Sequence, residues 1–474
     1  MLNTKLFQLL GTLSVYELNR FAKFLQSPYL NEDERLMELF TYVAPYFKQQ
    51  TTEKLRSTDV WNVLYPGKKF NQLRFARIFS DLLKKLEDFV VLDKLKHDKG
   101  RKELELLAFI TDKKLTKHYP EISKLSRKEL QASAYRDGEY YLQLYRLESY
   151  HNSFLELQNE RTTEKNLVQT TEALDAFYLV NKLSYLAAIL HYKNFLAMEG
   201  EVKLAAEVLE HLRKNDYAGI PAIQIHYRIV LSLIHPEEER YFQELKELLA
   251  RHYHLFPKAN ARNLFAFAIN YCIRKINFGQ LTYVRELLAL YKQMLNTGLM
   301  TDEQDQLSQF DYKNIVTVSL RANEAKWTEH FIRDYRNRLP RADRKNAYTF
   351  NLARLYFYQR KFDKVLPLLQ HVVYDDIFYQ LDSKTTLMKT YYELGEYLPL
   401  MALKESFRIL LRRKKVISEQ NRLNYMNFIR FTMKLYRVDV KDIKKIEELR
   451  NAISNSANVA DKTWLMERIT ELGG

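Results

Sequence analysis

At 474 residues the chain is too long for one ordinary compact core, which leaves several domains or an elongated repeat. Its 46% hydrophobic and 28% charged residues place it with folded chains rather than disordered or membrane ones. The net charge of +15, from 74 Lys+Arg against 59 Asp+Glu, favours an anionic partner through the long-range field.

Glycine (11) and proline (10) fall far below the roughly 7% and 5% of ordinary globular chains, so loops are few and short. Strand-rich enzymes and phosphate-cradling α/β folds need glycine at their turns. The scarcity therefore predicts helix after helix, with 33 Tyr and 27 Phe as wedges between them. The single cysteine, Cys272, excludes a disulfide framework or a cysteine-based zinc site within one chain and suits a reducing, cytoplasmic setting. The opening MLNTKLFQLLGTLSVYE lacks a small-residue cleavage site, so no export signal is expected. No run of about 18 apolar residues is found, so neither a membrane span nor a membrane partner is expected.

Residues 1–95 read as a helical N-terminal unit. Ser14 with Glu17, and Asn31 with Glu34, have the spacing of a capping box, and Ser27-Pro28 ends the helix between them. STDVWNVL stops at Tyr65-Pro66-Gly67. NQLRFARIFSDLLKKLEDFVV then sets Phe79, Leu82, Leu83, Leu86 and Val90 on one helical face. This helix, turn and helix also fits a helix-turn-helix, in which Lys68, Lys69, Asn71, Gln72, Arg74 and Arg77 would contact nucleic acid. Residues 96–126, Lys-rich and broken by Gly100 and Pro120, read as an irregular connection. Ser126 with Glu129 would cap a segment running through Gly138, and a long helix follows from about 165 to 198.

Beyond that point one pattern recurs. In LARLYFYQRKFDKVLPLL and TYYELGEYLPLMA, Tyr356 precedes Arg360 as Tyr391 precedes Gly395, and Phe362 answers Tyr397. Gly200, Pro236, Gly279, Glu324, Arg360 and Gly395 mark polar turns at intervals of 36, 43, 45, 36 and 35 residues, suited to stacked helix pairs. With Leu352-Ala353 and Val365 added, this resembles the tetratricopeptide-repeat family and is similar to bacterial helical-repeat proteins. Met388 and Leu400 stand where that family places small residues, so the repeat is degenerate. The resemblance implies an all-α fold: an α-solenoid of stacked antiparallel helix pairs over 127–440, closed by capping helices at 441–474. It also implies a concave binding surface.

No Walker loop, dinucleotide fingerprint, HExxH or GxSxG occurs, so neither an enzyme nor a cofactor nor a small-molecule substrate is expected. His252 and His254 lie far apart around a helix and read as helix-end cations rather than metal ligands. HPEEERYF reads as Pro236 in a first helical turn followed by acids that complement the dipole, and Asp375 and Asp376 as helix caps. Cys272, within FAFAINYCI, reads as a buried structural thiol. Two basic clusters are the candidate partner-binding residues: Arg333, Arg336, Arg341, Arg344 and Lys345 with Arg338, and Arg408, Arg412, Arg413, Lys414 and Lys415. Facing one concavity, they would hold acidic side chains or phosphates. The expected role is a scaffold or adaptor for an acidic protein or peptide; the alternative is nucleic-acid binding through the basic repeat face or the N-terminal helices.

Overall fold

The structure, a computed structural model, describes residues 4–48, 55–158, 164–193, 200–370 and 376–473. Among them are 23 α-helices and no strand, only an isolated bridge between Thr301 and Leu307. The chain divides into two compact units, Met1–Tyr185 and Leu186–Gly474.

The first unit holds α1 (Lys5–Leu10), α2 (Val15–Leu25), α3 (Glu34–Lys48), α4 (Ser57–Leu64), α5 (Gln72–His97), α6 (Lys99–Asp112), α7 (Tyr119–Ala132), α8 (Gly138–Gln158) and most of α9 (Glu164–Lys193). Helices α1 to α5 share one core, in which Phe21 meets the rings of Phe24, Phe40 and Phe89. The capping box at Ser14 and Glu17 forms as its spacing predicts. The one at Asn31 does not: that side chain is buried and donates to the carbonyls of Leu25 and Asp33, fixing the loop before α3.

Residues 96–126 are helical rather than irregular. Asp98 accepts from the Arg101 amide and starts α6, and Pro120 lies in the first turn of α7, so the two expected breaks fall at helix starts. Leu104, Leu107 and Ile110 pack with Tyr119, Leu130, Leu147 and Phe154 in a second core behind a Lys-rich exposed face. Ser126 is buried within α7 instead of capping a new helix, and Gly138 begins α8. Asn166–Lys193 of α9 is long and apolar enough to cross a membrane by length and composition, although Ala173, Ala176, Leu179, Val180 and Leu183 are buried within the protein.

In the second unit α10 (Ala205–Lys214) precedes five helix pairs: α11 (Pro221–Ile234) with α12 (Glu239–His252), α13 (Lys258–Asn277) with α14 (Tyr283–Asn296), α15 (Gln309–Arg321) with α16 (Ala325–Asp334), α17 (Arg344–Tyr358) with α18 (Phe362–Leu369), and α19 (Ile377–Leu394) with α20 (Tyr397–Arg413). Then come α21 (Glu419–Arg437), α22 (Ile443–Asn455) and α23 (Lys462–Leu472). Five of the six marked turns fall between the partners of these pairs, whereas Gly200 lies before α10. Four of them use one device, a left-handed residue just past the first helix: Gly279, Asn323, Arg360 and Gly395, with φ of 87°, 62°, 57° and 71°. The next amide then reaches back to a helix carbonyl, as Gln280 to Lys275 and Glu396 to Tyr391. Pro236 differs: it lies in the α11–α12 turn, and the helix begins only at Glu239.

A second device ties pair to pair. Tyr271 on α13 donates to the Pro236 carbonyl at 2.9 Å, Tyr358 on α17 to Asn323 Oδ1 at 2.7 Å, and Tyr436 on α21 to the Gly395 carbonyl at 2.7 Å. Each hydroxyl closes the preceding turn. No atom lies within 4 Å of a Cβ built on Gly395, so Gly395→Ala carries only the cost of positive φ. Its expected effect is a loss of about 1 kcal/mol, read as a lower denaturant midpoint; an unchanged midpoint would contradict it.

Candidate functional site

Helix α21 buries Phe428, Ile429, Phe431, Thr432, Met433 and Leu435 and leaves Arg430, Lys434 and Arg437 exposed. Ser418 caps it by accepting from the Asn421 amide, and Asp442 caps α22 by accepting from the Lys445 amide. The short link at 414–418 and the Tyr436 bond to the carbonyl before α20 make α20 run antiparallel to α21, and α22 follows after the short link at 438–442. The two outer helices wall a cleft of about 820 Å³. Met426, Ile429 and Met433 of α21 and Leu449 and Ala452 of α22 give it apolar surface.

Its polar lining is almost all cationic: Lys404 and Arg408 from α20, Arg430, Lys434 and Arg437 from α21, and Lys445 from α22, with Glu448 the one acid. Part of that charge is answered nearby. Lys404 lies 3.0 Å and Arg408 3.7 Å from Glu405, whose carboxyl is held below its ordinary range first by the Lys404 hydrogen bond. Lys445 pairs with Asp442 at 2.7 Å. Arg430 lies over the Phe431 ring and Arg437 points at Met401 Sδ. Neither of these, nor Lys434, has a carboxylate partner among the described residues. The cleft can therefore take an anion with an apolar body.

Of the candidate residues in the second basic cluster, Arg408 lines the cleft, while Arg412, Arg413, Lys414 and Lys415 are exposed at the end of α20 outside its lining. The first cluster is largely engaged internally. Arg333 pairs with Glu329 at 2.6 Å, Arg336 lies over the Tyr348 ring, and Arg338 approaches Asp305 at 3.4 Å. Arg344 donates to the carbonyls of Asn337 and Leu339 and so fixes its own loop. Arg341 and Lys345 are exposed. At the start of α5, Lys68, Lys69, Gln72 and Arg77 are exposed, but Asn71 is engaged as the helix cap and Arg74 lies over the Tyr65 ring at 4.7 Å.

The cations of α21 and α22 escape a reading by local charge density. Their only signal is helical spacing in NFIRFTMKLYR, which puts Arg430, Lys434 and Arg437 on adjoining turns.

The acidic candidates resolve differently. Asp376 caps α19 through the Tyr379 amide, and Asp375 lies outside the described residues. His235, Glu237 and Glu238 bring donor atoms within 4.8 Å of one another in the α11–α12 turn, yet His235 is 44% and Glu237 70% exposed. Nothing beyond the cluster itself points to an ion. His252 ends α12, and His254 follows in a short 3-10 turn. Cys272 is fully buried, and burial pushes its thiol up to about 12, which keeps it protonated.

Between α15, α17, α19 and α21 lies a polar interior. Lys313 pairs with Asp382 at 2.9 Å, Tyr425 donates to the same carboxylate, and Arg354 donates to Thr317 Oγ1. Desolvation lowers the pKa of Arg354, with Asp382 and Asp461 opposing the shift. Tyr379 on α19 also reaches the Gln309 carbonyl on α15 at 2.8 Å, so the first helices of alternate pairs touch. Compared with protein-family models, with curated proteins and with solved structures, the chain matches none.

Proposed function

We propose that this chain is a non-enzymatic adaptor, a tetratricopeptide-like array of stacked helix pairs that binds an acidic protein segment in a reducing, cytoplasmic setting. The observation that carries the reading is the α20–α21–α22 cleft, lined by cations from three helices, of which Arg430, Lys434 and Arg437 have no carboxylate partner among the described residues and Glu448 is the one acid in the lining. Such a lining selects acidic partners and speeds their encounter, while the apolar surface supplies affinity. Recognition on the side of α20 and α22 is favoured further because the first-helix side between α15 and α19 is occupied by side chains that bond to one another. The alternative, nucleic acid held by the same cations, differs in its steep fall of affinity with salt.

The test is binding of poly-L-glutamate and of a generic DNA duplex to the full chain at two ionic strengths. The double variant Arg430→Glu with Lys434→Glu is compared with a matched change outside the cleft, Arg413→Glu with Lys414→Glu. The expected result is about tenfold weaker poly-L-glutamate binding for the cleft variant alone, the equivalent of about 1.4 kcal/mol. No binding of poly-L-glutamate at low salt, equal losses in both variants, or tighter binding of the duplex would overturn the reading.

A further inference from the structure

Resting on that reading, we infer that the occupant of the cleft is an acidic amphipathic α-helix lying along α21. The cleft is walled by helices whose backbone groups are bonded within themselves, and it offers no strand edge to pair with. An extended segment laid on Met426, Ile429 and Met433 would leave its own amides and carbonyls without partners against apolar surface, a costly arrangement. A helix brings its backbone already satisfied and presents only side chains.

The spacing of the lining residues fits such a helix. Met426, Ile429 and Met433 stand at i, i+3 and i+7 along about 10 Å of α21. Ile429 and Met433 are buried and form the cleft floor, so a partner's apolar stripe would rest on half-buried Met426 with Val438 and Ala452 at the edges. Met426 is unbranched and adapts its shape to the stripe it meets. Lys404 and Arg408, at i and i+4 on α20, and Lys445 on α22 line the two walls and would exchange Glu405 and Asp442 for the occupant's carboxylates. Arg430, Lys434 and Arg437 follow α21 itself. An occupant with glutamates on both flanks of its apolar stripe meets a cation on every turn.

The experiment measures fluorescence anisotropy of two labelled peptides of about four helical turns with the full chain. One has leucines at helical spacing flanked by glutamates; the other has the same composition in an order that destroys the stripe. The periodic peptide is expected to bind about tenfold more tightly and to gain far-UV helicity on binding. Arg430→Glu with Lys434→Glu, both on exposed positions, is expected to abolish that preference, and Met426→Glu to weaken the periodic peptide alone. Equal binding of the two peptides, or tighter binding without gained helicity, overturns the helical occupant while poly-L-glutamate binding still supports an acidic partner. If neither peptide nor poly-L-glutamate binds, both the inference and the proposed function fail.

Discussion

Phe242→Ala is expected to lower the stability of the second unit by about 3–5 kcal/mol, the range for truncating a fully buried aromatic ring. Phe242 on α12 is completely buried, stacks on Tyr271 of α13 at 4.6 Å and meets the Tyr283 ring of α14 at 5.7 Å. One side chain thus joins two consecutive helix pairs. Its removal takes apolar surface out of the seam and opens a void that two rigid tyrosines cannot fill without moving. Urea unfolding followed by far-UV circular dichroism measures the loss, and hydrogen exchange locates it. Loss of amide protection should be largest in α12, α13 and α14, because those are the helices whose rings Phe242 joins. A cost below about 1 kcal/mol would show that the ring is not part of a close-packed seam.

The second large effect is acid sensitivity set by one histidine. His226 on α11 is buried, its Nδ1 has no hydrogen-bond partner among the described residues, and burial pushes its pKa from 6.5 to about 4. Between these values the unfolded chain binds a proton that the folded chain refuses. Stability is therefore complete above pH 6.5 and declines as the pH falls toward 4, by about 3 kcal/mol over the window from this group. His226→Leu removes the titration while keeping an apolar side chain in place. Urea unfolding of both proteins at several pH values should show the native chain losing ground to the variant as the solution is acidified. Parallel acid limbs would rule out this origin.

How much was legible in advance depended on whether the physics was local. Scarce glycine and proline imply few loops, and that alone predicts the helical content. The turns at Gly279, Arg360 and Gly395 were legible because a helix C-terminus is closed by its own next few residues. Asn31 shows the limit: its spacing to Glu34 matches a capping box, but its Nδ2 is held by the Leu25 carbonyl, its Oδ1 accepts from the Asp33 amide, and Asp33 instead accepts from the Arg35 amide at the start of α3. Residues 96–126 misled for a related reason, since many exposed lysines hid the interval that carries Leu104, Leu107 and Ile110 inward. The cleft was least legible. Its cations come from three helices, and no single stretch announces them, whereas the dense runs at Arg333–Lys345 and Arg412–Lys415 fall partly on bonds within their own loops or outside the lining.

The tyrosine contacts between pairs have a direction. In each of the three, the hydroxyl comes from a later helix and the acceptor from the earlier turn. Shortening the protein from its two ends is therefore not equivalent. Cutting the chain before α13, α17 or α21 strips the turn ahead of the cut of the group that closes it, whereas removing the helices ahead of one of these three frees only a phenol that water can serve.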